Sequence, residues 1–481
     1  MVEDLLELAV DYARRLGASY SEARYQRDSS QRTVLKNGVP EFSSDHIEQG
    51  MGVRVLVDGA LAFASTSELT RASVRKAVKN AIALARASAN RKRNRIEFSD
   101  DKVERSKVVL KPRIPFDNVD TEARVELLRE ADNNAVETAE RKGVKLVSRL
   151  LEVGCWVTEK HSINSDGGDV RSLTPRATAD YFIVAFHQQR GSIQRFENLG
   201  EARGWEAVER WMLPERLAEE THDIAEALLR GEEPPREPVD LLLGPEIVGL
   251  VCHESAGHPG EADRMLGREA AQAGETYIKP ELLGTRIGSE HVTIVDDPTL
   301  PHSFGYYLYD EECVKAGERI LIENGVLKEL LHNRETAKKL GTRSNASARA
   351  NAFDREPIVR MANTYMKPGD YTVEEMISEV RDGVYVKSYQ EWNIDDKRWN
   401  QRYVGVVAYR IRNGETTGLV RNPVVDLTTR GLYSSVAAVG KDLKFYAGYC
   451  GKGDPMQAIP VWFGGPTILL KNIRIGFRKP T

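Results

Sequence analysis

Gly231-Glu232-Glu233-Pro234-Pro235-Arg236-Glu237-Pro238 interrupts every periodicity around it. Its prolines cannot continue a helix or a central strand, and its alternating charges bury nothing, so the segment reads as a linker. It separates an N-terminal domain, residues 1–230, from a C-terminal domain, residues 239–481. Two domains suit the length, because single hydrophobic cores stop growing near roughly 250–300 residues.

Before the linker the pattern is α+β. Leu5, Leu8, Ala9, Tyr12, Ala13 and Leu16 recur at helical spacing, so the chain opens with an amphipathic helix. Gly52 to Val57 reads as a strand, Asp58-Gly59 as a hairpin turn and Ala60 to Ala64 as the returning strand. Helices follow at about Glu68–Ala89 and Thr121–Lys142, then a strand region from Val144 to about Gln194 and a third helix from Trp205 toward Leu229. Beyond the linker the character changes. A short strand, Val239–Leu243, and one helix lead into β-like runs punctuated by glycine, such as Val404–Ile411, Leu432–Val439 and Thr467–Ile475. The fold class is thus α+β, a mixed α/β half followed by a β-rich half.

Composition narrows the function classes. Hydrophobic residues make up 41% and charged residues 29%, which is globular. With 68 basic against 72 acidic residues the net charge is −4, so no general attraction to nucleic acid exists. The basic run Arg91-Lys92-Arg93-Asn94-Arg95 has no interleaved aromatic residue for base stacking and reads as a solvated loop after a helix. No apolar run approaches the roughly 20 residues a membrane span needs. The start MVEDLLELAV is acidic where a secretory signal would be basic, which places the chain in the cytoplasm. Cys155, Cys252, Cys313 and Cys450 have no framework spacing, so reduced thiols are expected.

The chemistry lies just past the linker, in His253-Glu254-Ser255-Ala256-Gly257-His258. Histidines at i and i+4 fall about 40° apart on a regular helix, but this HExxxH pair at i and i+5 falls about 140° apart. A straight helix would not bring both imidazoles to one ion. Gly257 and Pro259-Gly260 offer relief, since glycine relaxes the backbone and proline ends the helix, so a distorted helical end is expected. A catalytic zinc takes three protein ligands plus water, and the carboxylate beside a ligating histidine is placed to take the water's proton. The third ligand stays open at this point, with Cys252, Cys313 and Cys450 all available. His291, His302 and His332 read as surface or internally satisfied histidines.

HESAGHPGEADRM, HVTIVDDPTLPHSFGYYLYDEE, ILIENGVLKELL, RMANTYM and GYCGKGDPMQAIPVWFGGPTILLKNIRIG occur in that order. Together they resemble successive segments of the TldD/PmbA (TldE) metalloprotease family, and GMGVRVLVDGALAFAST does so in the N-terminal half. Because HExxxH is retained, the chain is similar to the TldD-type active subunit rather than the partner type that lacks it. The resemblance implies zinc held by His253, His258 and Cys450, with Glu254 as catalytic base. Gly448, Gly451 and Gly453 around Cys450 fit a loop that must approach closely, and Cys252 reads as a core hydrophobe. Arg360 and Asn363, in the RMANTYM segment, become candidates for holding substrate backbone or carboxylate. DEEC departs from the family pattern, which commonly has glycine at Cys313.

What the resemblance implies is a zinc peptidase acting on unfolded polypeptides or small peptides inside a chamber formed on dimerisation. The partner would be a second copy or a motif-less paralogue. An extended peptide could add as an edge strand. The rival expectation is a non-catalytic peptide-binding or assembly subunit that keeps a structural metal site.

Overall fold

A computed structural model describes residues 2–91, 94–269 and 274–478. Lys92 and Arg93 of the basic run therefore lie outside the described residues. The opening apolar stripe forms α1 (Val2–Arg15), burying Leu5, Leu6, Ala9, Val10 and Ala13. A long hairpin follows, β1 (Tyr20–Lys36) and β2 (Val39–Val57), and then β3 (Ala60–Thr66). Asn37-Gly38 and Asp58-Gly59 close the two turns with positive φ at all four residues, the geometry that matches strand twist. Next come α2 (Arg71–Ala89), started by the Thr70 cap, β4 (Arg105–Val109), and α3 (Thr121–Lys142) between the Asp120 cap and left-handed Gly143. β5 (Lys145–Asn164), β6 (Asp169–His187) and β7 (Gly191–Glu201) complete one seven-stranded sheet, ordered β3-β2-β1-β5-β6-β4 with β7 beside β6.

The third helix is broken. Met212, at φ +48, separates α4 (Glu206–Trp211) from α5 (Leu213–Arg230), and Pro214 lacks the amide that a continuous helix would use. The linker is packed rather than free: Glu232 N donates to Leu419 O at 3.0 Å, and Arg421 N donates to Glu232 O at 2.8 Å.

One face of the N-terminal sheet is apolar and covered by helices, with Ala23 and Tyr25 packed under α1 and α2, and Leu151, Val153 and Cys155 under α3 and α5. The opposite face is polar and turns toward the C-terminal half. There Arg24 and Gln26 of β1 stand in register with Ser162 and Lys160 of β5. Arg24 donates to Ala352 O and Arg355 O, both at 2.7 Å, and Arg54 bridges Glu22 and Glu312. The junction between the halves is thus built from buried ion pairs on a sheet face.

In the C-terminal half β8 (Val239–Leu243) leads into α6 (Pro245–Cys252). β8 lies inside a six-stranded sheet, between Asp382–Val386 and Ile468–Ile473. A second six-stranded sheet carries the site. It comprises β9 (Ile294–Asp296), β10 (Arg319–Glu323), β11 (Val326–Leu327), β12 (Asn363–Met366), β13 (Lys444–Lys452) and β14 (Gln457–Gly465), ordered β11-β10-β9-β12-β14-β13. Two expected strands come out differently. The run Val404–Ile411 is shared between Asn400–Gly405 and Ala408–Arg412, which join different sheets, and Leu432 belongs to a helix, Thr429–Ser434, ahead of the strand Val436–Val439.

Candidate metal centre

α6 is apolar all round, with Ile247, Val248, Leu250, Val251 and Cys252 buried, so it must be enclosed. It lies directly on β14: a Cβ at Gly249 would stand 2.8 Å from the Gly464 amide nitrogen, closer than real side chains come. This contact brings the end of the helix beside the strands that carry Cys450.

The helix then widens instead of unwinding. Residues His253–Gly257 form a π turn in which His258 N donates to His253 O at 3.0 Å, an i to i+5 bond. Widening makes positions five apart neighbours, which removes the 140° obstacle at a distorted helical end, with turn residues following at 258–260. The two imidazole centroids lie 4.9 Å apart with planes at 81°. Gly257 serves by its size rather than by backbone freedom, because a Cβ there would meet Met361 Sδ and Thr364 Oγ1, each at 2.9 Å.

Cys450 sits in strand β13, opposite Ile459, and not in the close-approaching loop its flanking glycines suggested; of these, Gly453 alone has positive φ. Ligand atoms of His253, His258 and Cys450 all lie within 4.8 Å of one another. Cys450 Sγ is 3.3 Å from His258 Nε2. Burial pushes the Cys450 thiol up, but the imidazole of His258 and the guanidinium of Arg360 more than reverse this and bring it down to about 7. Burial holds both histidines below their ordinary value. Neutral imidazoles and an easily formed thiolate are the donor states a soft-tolerant divalent metal requires. Among the described residues His253 Nδ1 is buried without a hydrogen-bond partner, a cost that a metal or ligand at this ring would relieve. The donor set fits zinc.

A carboxylate stands behind the second histidine. His258 Nδ1 lies 3.1 Å from Glu261 Oε2, and with Nε2 given to a metal the Nδ1 proton goes to that carboxylate. Burial works against the Glu261 charge, yet Lys452, Arg264 and His258 outweigh it and hold the carboxyl well below the usual range. Lys452 Nζ also holds Asp263 at 2.6 Å and Val359 O at 2.7 Å, tying β13 to the helix end.

Glu254 is buried next to the cluster and forms an ion pair with Arg398 Nη1. Arg398 is itself 8% exposed and has φ +63, a backbone conformation rare for arginine. Its loop is fixed by Asp395, which accepts from Trp399 N at 2.7 Å, and by Thr429 Oγ1, which donates to Arg398 O at 2.8 Å.

Arg360 and Asn363, the residues expected to hold substrate, lie inside the C-terminal half. Both are completely buried. Arg360 donates to Gln457 O at 2.7 Å and to Cys450 O, and so fixes the cysteine strand. Asn363 gives Nδ2 to Asp297 O and Ser303 Oγ and receives Gly305 N and Trp462 N, leaving no group for a ligand. Cys252 is packed in the C-terminal core as expected. His291 is exposed, while His332 is buried beside Thr336 Oγ1 at 3.2 Å.

Three family models match along the chain: PmbA/TldA metallopeptidase domain 1 over 21–85, the central domain over 114–229 and the C-terminal domain over 236–477. The chain belongs to the TldD/PmbA metallopeptidase family. The first two family domains fall on one continuous sheet here. A metalloprotease of Methanothermobacter thermautotrophicus is 32% identical over 464 residues, 95% of each chain. A protein named zinc metalloprotease TldD homolog, from Saccharolobus solfataricus, is 25% identical over 468 residues, covering 96% of this chain and 98% of its own. The fold is similar to that of TldE from Thermococcus kodakarensis, with a TM-score of 0.75 at 18% identity over 98% of this chain and 100% of the other. Cys313, where the resemblance implied a glycine, has φ +62, a left-handed conformation that glycine adopts freely.

Glu261, Lys452 and Arg398 were not legible as site residues. Nothing in DDKRW marks an arginine that will meet a glutamate 144 positions earlier. Glu261 offered one signal, its place three residues after His258 in a segment where the helix was expected to end.

Proposed function

We propose that this chain is a zinc-dependent peptidase that hydrolyses unfolded polypeptides or short peptides. The convergence of His253, His258 and Cys450, with a non-ligating Glu254 beside them, carries this reading. Zinc bound there would supply a Lewis acid that polarises the scissile carbonyl and acidifies water. Glu254 takes the proton from the attacking water as the C–O bond forms, and passes it to the nitrogen as the C–N bond breaks. Glu261 orients the His258 ring, Arg360 anchors the Cys450 strand, and Arg398 fixes the Glu254 carboxylate.

Cys450 lies on β13, at one end of its sheet's strand order, so an extended peptide pairing along that edge would pass the metal donors. Main-chain pairing would give little sequence preference. Enclosure in a homodimer, or in a heterodimer with a motif-less paralogue, would exclude folded proteins. Among the described residues no helix is long and apolar enough to cross a membrane, and the four cysteines are free. The alternative, a non-catalytic subunit with a structural metal, draws on one observation, that Arg398 engages the carboxylate required as base.

Glu254→Gln separates the two. As a peptidase, the variant keeps its zinc and fold while peptide hydrolysis falls by roughly two to four orders of magnitude. Near-normal turnover in that variant would remove Glu254 from the mechanism.

A further inference from the structure

A cavity of about 430 Å³ lies between the polar face of the N-terminal sheet and the C-terminal half. Tyr449 and Pro460, cross-strand partners on β13 and β14, line it, while the next residue, Cys450, approaches His258. Strand alternation puts Tyr449 and Cys450 on opposite faces, so the cavity sits behind the metal centre rather than in it. Rings of Trp156, Tyr306, Tyr309 and Tyr449 share its wall with Arg176 and Arg349.

Those two arginines are the unusual feature. They are 7% and 8% exposed, and among the described residues neither has a carboxylate within ion-pairing distance. Arg176 gives Nε to Phe304 O at 3.0 Å and Nη2 to Tyr306 O at 3.3 Å, and among the described residues Nη1 has no acceptor. Arg349 gives Nη1 to Met361 O at 2.6 Å and Nη2 to Pro460 O at 3.2 Å, and lies 5.0 Å over the Tyr307 ring.

Of the four acids lining the cavity, Glu48 is exposed and the three others are engaged. Glu311 meets Lys160 at 2.5 Å and Arg24 at 3.5 Å. Asp28 accepts from Gln26 Nε2 and Thr158 Oγ1. Asp310 is kept toward its neutral form by burial and by Glu312. The cations feel this imbalance: burial and the neighbouring Arg349 depress Arg176 to about 9, and burial lowers Arg349 as well. Buried charges are ordinarily paired, and a guanidinium fork matches a carboxylate in shape and donor spacing.

We propose that this cavity is a binding site for an organic carboxylate with an aromatic or apolar body, held by Arg176 and Arg349 and stacked among the tyrosine and tryptophan rings. The carboxylate has two possible sources, a free small acid or the C-terminal end of a peptide. The site is independent of the metal-centred reading, since none of its residues is a candidate zinc ligand.

Calorimetric titration of the full chain with 3-phenylpropionate, acetyl-Gly-Gly-Phe and the C-terminal amides of both tests it. At least one acid binds, its amide binds about tenfold more weakly or less, and Arg176→Gln and Arg349→Gln each abolish the preference with zinc content unchanged. Binding of the small acid alone identifies a metabolite-like ligand, binding of the peptide acid alone identifies a chain terminus, and either supports the site. Equal affinity for acid and amide on the unaltered protein overturns the proposal, whatever the variants' folding. So does an acid preference that survives in either folded arginine variant, since the carboxylate would then be held elsewhere.

Discussion

Among the described residues, the carboxylate of Glu254 has one ion-pair partner, Arg398, held on a left-handed backbone by the Asp395 and Thr429 contacts. Removing the cation leaves a buried carboxylate uncompensated, a change that costs far more than the pair contributes. Arg398→Gln is therefore expected to lower peptide hydrolysis by about tenfold or more while zinc content, read by elemental analysis, stays constant. An unchanged or raised rate would mean that Arg398 restrains the site instead of supporting it. A second residue-level expectation concerns His332, which burial depresses to about 4. Below the unfolded value near 6.5 the unfolded chain takes a proton that the folded chain refuses, so His332 drains stability as pH falls from about 6.5 to about 4. The loss approaches roughly 3 kcal/mol across that window. Denaturant unfolding of His332→Gln should show a correspondingly flatter acid limb than the unaltered protein, and parallel pH profiles would exclude His332 as a cause.

At the scale of elements, the π turn is what converts HExxxH into a pair of converging imidazoles. Its tolerance is limited by Gly257, whose missing side chain leaves room for Met361 and Thr364, and by Gly249, which rests on the Gly464 backbone. Gly249→Ala is expected to destabilise by about 1–3 kcal/mol or more, the scale of overpacking, because a backbone neighbour cannot rotate away. Chemical denaturation measures this, and an unchanged midpoint would show that α6 can lift off β14. Much of this level was readable from sequence: α1, α2 and α3 follow from apolar spacing, and β8 from its short apolar run. β1 was not. Tyr20–Lys36 lacks simple apolar alternation because its second face meets the C-terminal half through Arg24 and Gln26, so burial there is polar and long-range. The same reason hid Arg398, whose carboxylate partner lies 144 positions earlier, and the contact of Lys452 with Glu261, while Arg360 and Asn363 are buried with their hydrogen-bond partners inside the protein. His253 and His258 stood out by residue type and spacing, whereas Cys450 was implied only by the family's ordered segments, and the structure brings the ligand atoms of all three within 4.8 Å of one another.

Over the whole molecule, two halves meet across buried ion pairs, and the metal donors lie well inside, with His253, His258 and Cys450 only 6%, 4% and 3% exposed. A folded protein cannot deliver a peptide bond to such a depth, so denatured substrate should be cut and its native form should resist; equal cleavage rates for the two would contradict the enclosed site. The central claim, that this fold joins a π turn and an edge strand around one zinc, is tested most directly by zinc stoichiometry in purified protein and in single cysteine variants. About one zinc per chain is expected in the unaltered protein and in Cys252→Ser, whose thiol is a core contact, and a severe loss in Cys450→Ser. Full zinc occupancy in Cys450→Ser, or equal loss in both variants, would contradict it.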